Sequence, residues 1–198
     1  MRLTTIVITA LIASRGLQGQ AAPHPERIVT VCMERGSGFL ASFEAQALAS
    51  KIFAGIGVTI NWHFGLEACP SQAIQVSLSQ DTPKFQRPGA YAYARPYEGS
   101  HIVVYYDRIA ECHPKPLVRI VLAHVLVHEI THILEGISRH SDSGIMKARW
   151  DGGDFSEMAR KPLNFAPIDI NLIYAGLAER AAQTTVDMNR LDSAVAAR

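Results

Sequence analysis

Cysteine is scarce in this chain, with three in 198 residues and no Cys-x-x-Cys pair among them. That excludes a zinc ribbon, a thioredoxin-type redox pair and a scaffold stapled by many disulfides. Neither charge is in excess: the formal net charge is +1, and no cluster of Lys or Arg stands out. Nothing in that balance points to a nucleic-acid surface, so no nucleic-acid partner is expected. The chain also lacks a glycine-rich phosphate loop, a Gly-x-Ser-x-Gly nucleophile elbow, internal repeats and low-complexity segments.

Long apolar runs are rare as well. The run Leu3–Ala13 follows Arg2 and leads into small and polar residues ending in Gly19-Gln20-Ala21-Ala22-Pro23. It is too short to span a bilayer comfortably, and the pattern is that of a secretory signal peptide cleaved after Ala21 or Ala22. Residues 1–21 are therefore read as a leader, with a secreted or periplasmic destination. They carry Arg2 and Arg15 and no acid, so their removal takes the net charge from +1 to −1. No later stretch reads as long enough to cross a membrane, and no stable membrane insertion is expected after cleavage. In an oxidising compartment, Cys32, Cys69 and Cys112 give one disulfide and one free thiol. Cys69–Cys112 is the pairing favoured, although the sequence alone does not fix it.

What is present is an ordinary globular composition, 48% hydrophobic and 19% charged, over a length suited to one domain, residues 22–198. Arg27–Met33 is a β-branched run that reads as a strand, broken by Gly36-Ser37-Gly38. Apolar residues from Phe39 to Phe53 recur at helical spacing, and Gly55 and Gly57 end that helix. Strands are predicted over Val58–His63, Ala73–Ser79 and His101–Tyr106, with a short one at Tyr91–Arg95 in a proline-rich crossing. His113-Pro114-Lys115-Pro116 opens a long apolar helix that ends near Glu135, at the terminator Gly136. A last helix is predicted over Pro167–Ala182, with the tail from Thr184 left unassigned. The class is α+β, a small mixed sheet packed on two main helices.

Chemistry concentrates near the end of the long helix. His128-Glu129-Ile130-Thr131-His132 is a His-Glu-x-x-His motif. At 3.6 residues per turn, side chains four apart share one helix face, so His128 and His132 can converge on one ion. Glu129 projects to the side of that pair, within reach of a water. On a helical projection His128, Thr131, His132 and Glu135 fall on one side and Ile130, Ile133 and Leu134 on the other. His124 cannot share the ion with both others, because eight residues are about 12 Å along the axis. It is read as packed or facing the cleft. A catalytic zinc holds three protein ligands and one open position. His140, after the turn at Gly136, is the candidate third ligand, ahead of Asp142, Asp151, Asp154 and Glu157. Met146 follows Ser143-Gly144, where a tight turn would place an apolar side chain beneath the ion.

His128, Glu129, His132, Gly136, His140 and Met146 resemble, in order and type, the metzincin branch of the zincin metallopeptidases. The spacing departs: the glycine comes one residue late and the third histidine two. The stretch RHSDSGIMKARW is also similar to short secreted bacterial proteins with HExxH, a seven-residue gap, His-Ser and Gly-x-Met. The close likeness covers residues 124–150 only.

The resemblance implies a zincin-like fold with the motif on a long buried helix, and Zn2+ held by His128, His132 and His140. It implies Glu129 as the catalytic general base of a secreted endopeptidase, with a peptide or protein as substrate. By the same likeness, Tyr91–Tyr106 supplies the edge strand along which the substrate lies. Glu157 and Glu179 are the third-ligand candidates if the site follows the gluzincin branch. Cys32 or Cys112 as a fourth ligand would make it structural. Tyr174 and Arg149 are the candidates for stabilising an oxyanion. The competing readings are a non-catalytic secreted binding protein on the same scaffold and a zinc hydrolase of a non-protein or cell-wall amide. Oligomeric state is not readable from the sequence.

Overall fold

The computed structural model describes residues 27–34, 39–65, 69–84, 86, 89–94 and 100–196, so the expected leader over residues 1–21 lies outside the described residues. β1 (Arg27–Met33) buries Val31, Cys32 and Met33 in succession, as a strand covered on both faces must. α1 (Phe39–Ala54) follows, then β2 (Val58–Phe64), where buried Val58 and Ile60 alternate with exposed Thr59 and Asn61. β3 (Ile74–Ser79), β4 (Ala92–Ala94) and β5 (His101–Tyr105) complete the strands. The sheet order is β2-β1-β3-β5-β4. Four strands run parallel, and β4 lies antiparallel to β5 at the edge, with Tyr93 opposite Val103. This is the mixed sheet of an α+β fold, as the sequence predicts.

The helices differ from expectation at three points. Tyr106 does not extend β5 but starts α2 (Tyr106–Cys112), which leads to α3 (Lys115–Glu135). α4 (Gly152–Met158) was not foreseen: its Gly-Gly start opposes helix, and a capping box between Asp151 and Asp154 offsets that. α5 (Pro167–Ala196) runs well past Ala182.

α3 is the spine of the molecule. It is apolar on nearly all sides, and such a helix has to be buried. Thirteen of its residues are buried, from Val118 to Leu134, and it packs against α1, α2, α5 and the β4–β5 end of the sheet. The division into a polar face and a core face therefore needs correcting: Thr131 and His132 are as enclosed as Ile130, and Thr131 Oγ1 donates to the Val127 carbonyl at 2.7 Å. α3 is also long and apolar enough to cross a membrane by length and composition, contrary to the sequence reading, but 72% of that window is buried within the fold.

The disulfide joins Cys32 to Cys69, not Cys69 to Cys112. β2 and β3 flank β1, and Cys69, ahead of β3, lies at a Cα distance of 6.0 Å from Cys32. Cys112, at the end of α2, is free and exposed.

Candidate metal centre

α3 ends where its motif ends. Gly136 takes a left-handed conformation (φ 67°) and donates its N–H to the His132 carbonyl, which turns the chain back toward the helix. The returning segment sets His140 against the helical pair. Ring centroids lie 4.7 Å apart for His128 and His132, 5.3 Å for His128 and His140, and 5.0 Å for His132 and His140. One nitrogen from each ring falls within 4.8 Å of the other two. Among the described residues this is the only cluster of three or more His, Cys, Asp or Glu able to hold a metal ion.

Hydrogen bonds fix the tautomers of the helical pair. His128 Nδ1 lies 2.8 Å from the Ile145 carbonyl and His132 Nδ1 3.2 Å from the Ile137 carbonyl. A carbonyl only accepts, so both Nδ1 atoms carry the proton. The two Nε2 atoms then face each other as bare lone pairs, 3.1 Å apart. Burial, followed for His128 by the charge of its neighbour His132, depresses His128 to about 3, and burial depresses His132 to about 4. Neither ring therefore brings a proton to the gap at neutral pH. Two acceptors aimed at each other in a buried place are suited to hold a cation between them. Nitrogens on a tetrahedral zinc with bonds of about 2.0–2.1 Å stand roughly 3.3 Å apart, so the donor set and its spacing fit that ion.

The cluster lies in a cleft of about 920 Å³. Glu129 lines it beside the histidines, and burial raises its carboxyl to about 8. Tyr91–Ala94, which includes the edge strand β4, forms one wall, and Trp150 and Phe155 form another. Trp150 meets His128 edge-on at 5.6 Å, and Phe155 packs on His113, whose Nε2 is 2.8 Å from the Tyr91 hydroxyl. Arg149 reaches the cleft. Behind it, the Ser143-Gly144 turn is held by Ile145 N–H to the Asn164 carbonyl at 3.0 Å, and Met146 is fully buried.

Several candidates fall away. Asp151 and Asp154 pair with Lys147 at 2.7 and 2.6 Å, and Glu157 with Lys161 at 3.2 Å. Asp142, Glu179 and Cys112 are not part of the triad's cluster, and Cys32 is in the disulfide. Tyr174 donates to the Ile56 carbonyl at 2.5 Å and stacks under Arg27, away from the cleft lining. His124 is packed: its Nδ1–H donates to the Ile120 carbonyl at 2.8 Å, and its Nε2 accepts from the Leu163 N–H at 3.1 Å. Trp150 closes the stretch RHSDSGIMKARW without a role assigned from sequence, and Phe155 carries no motif signal; their place in the fold brings both to the cleft.

No protein-family model matches this chain, and no curated protein sequence matches it. Among solved structures, the chain is similar to the crystal structure of archaemetzincin from Methanopyrus kandleri. The identity is 16% and the TM-score 0.54, over 80% of this chain and 99% of that one. The likeness establishes the zincin-like fold.

Proposed function

We propose that the chain is a secreted zinc-dependent endopeptidase, with His128, His132 and His140 as the metal ligands and Glu129 as the general base. The observation that carries this reading is the pair of unprotonated Nε2 atoms 3.1 Å apart, with His140 closing the triangle. The fold neighbour's name, archaemetzincin, agrees with the metzincin resemblance of the motif. Held by His128, His132 and His140, a zinc ion would supply Lewis acidity for a scissile carbonyl and for a water nucleophile near neutral pH.

The chain's own groups supply the rest. Glu129 holds its carboxyl in the cleft beside the triad, takes the proton of the attacking water and passes it to the leaving amine. Its pKa of about 8 without metal reflects burial alone, and a nearby dication favours the carboxylate needed for a base. β4 is the last strand of the sheet and lines the cleft, which supports an extended peptide adding to that edge through backbone hydrogen bonds. Trp150, Phe155 and Tyr91 offer an aromatic lining for a substrate side chain. Arg149 is the remaining candidate for stabilising an oxyanion.

The test is metal content and cleavage of casein or a peptide library by wild type, Glu129→Ala and His128→Ala. Wild type is expected to hold ~1 zinc per chain. Glu129→Ala should keep the zinc and lose at least about 10²-fold in turnover, and His128→Ala should lose both. Undiminished hydrolysis in Glu129→Ala rules the mechanism out.

A further inference from the structure

His140 is the least supported of the three histidines by its own element. It is exposed and sits in an irregular segment, whereas His128 and His132 ride on α3. Yet the residues on either side of it are tied to one atom. Arg139 Nη1 donates to Asp169 Oδ1 at 2.7 Å, and Ser141 Oγ donates to the same oxygen at 2.6 Å. Arg139 Nη2 also donates to Ser141 Oγ at 3.2 Å, which closes the three groups into a ring. Asp169 is fully buried in the first turn of α5, and its Oδ2 accepts the Ala166 N–H at 3.1 Å. Its carboxylate is thus held from α5 while it grips the side chains on both sides of residue 140.

The ties continue to the rest of the site. Ser141 N–H donates to the Met146 carbonyl at 2.7 Å, joining this loop to the turn whose Ile145 carbonyl orients His128. A fully buried carboxylate is costly unless paired, and here every partner but the Ala166 N–H flanks His140.

We propose that Asp169 is a positioning residue for the metal centre, clamping Arg139 and Ser141 so that His140 is held in place to complete the three-histidine site. This inference rests on the metal reading above. Sequence inspection has no local signal for it, because Asp169 comes 28 and 30 residues after its two partners.

The experiment is a zinc competition titration against a chromophoric chelator, with thermal unfolding of the same full-length proteins in EDTA. The set is wild type, Asp169→Asn, Arg139→Ala, Arg139→Lys, Ser141→Ala, and Val31→Ala as a core control remote from the clamp. The clamp variants should bind zinc about 10–100-fold more weakly than wild type. Arg139→Lys should recover part of the loss seen in Arg139→Ala. Their cobalt-loaded forms should show altered visible bands, and Val31→Ala should keep full affinity despite a lower melting temperature. If Asp169→Asn does not fold, Arg139→Ala and Ser141→Ala decide the matter, since neither touches the Ala166 cap. Wild-type affinity in both, with only the melting temperature reduced, overturns the clamp and leaves the metal reading standing. A wild-type chain that takes up no zinc overturns the metal reading and this inference with it.

Discussion

At the scale of single residues, function is written in which nitrogen carries a proton. The Ile145 and Ile137 carbonyls hold protons on the Nδ1 atoms of His128 and His132 and leave both Nε2 atoms facing one gap. Glu135, one turn beyond His132, has a different problem. Both its carboxylate oxygens are buried without a hydrogen-bond partner among the described residues. Desolvation, with the negative charge of Asp169 behind it, raises the group from 4.5 to about 7. A raised folded-state pKa gives stability that is fully present below about pH 4.5 and is lost as the pH rises through 7. Glu135→Gln should remove that loss. In EDTA-treated protein, urea unfolding at pH 8 relative to pH 4.5 should favour the variant by roughly 1 kcal/mol, a value discounted for partial solvent exposure. Parallel pH profiles for the two proteins contradict the assignment.

At the scale of elements, the legible parts of the sequence were those with strong local signals. α3 was readable because Pro116 opens it, Gly136 closes it and apolar residues fill the interval. The helical pair His128–His132 followed from helix periodicity alone. α4 was not readable, since its capping box depends on side-chain geometry that opposes the Gly152-Gly153 start. His140 needed a resemblance, because its approach depends on a turn and on ties made 28 residues later. Gly144 shows how much such turns matter. It has φ 76°, and a Cβ there would run into the Asn164 carbonyl that anchors Ile145. Gly144→Ala should cost roughly 2 kcal/mol or more, lowering the melting temperature by ~4–8 °C. Zinc affinity should fall with it, because the displaced Ile145 carbonyl orients His128. A circular-dichroism melt and a zinc titration check both, and unchanged affinity would detach the turn from the site.

At the scale of the whole molecule, the sheet and α3 together create the cleft. β4 can form its wall because it pairs antiparallel with β5 at the open edge of the sheet. Pairing patterns of this kind join distant segments, so the sequence predicted the strands but not their order. The disulfide has the same origin: Cys69 meets Cys32 where β1 lies between β2 and β3, an order that spacing along the chain does not reveal. Such long-range order brings an irregular segment, a helix and a strand edge to one place, and the three histidines meet there.

The most direct measurement is X-ray absorption at the zinc edge on the zinc-loaded wild-type chain. Imidazole nitrogens are expected at about 2.0–2.1 Å, completed by a light oxygen scatterer and with no sulfur shell. A sulfur shell at about 2.3 Å, which Cys112 could supply, would contradict it, as would a chain that retains no zinc after dialysis.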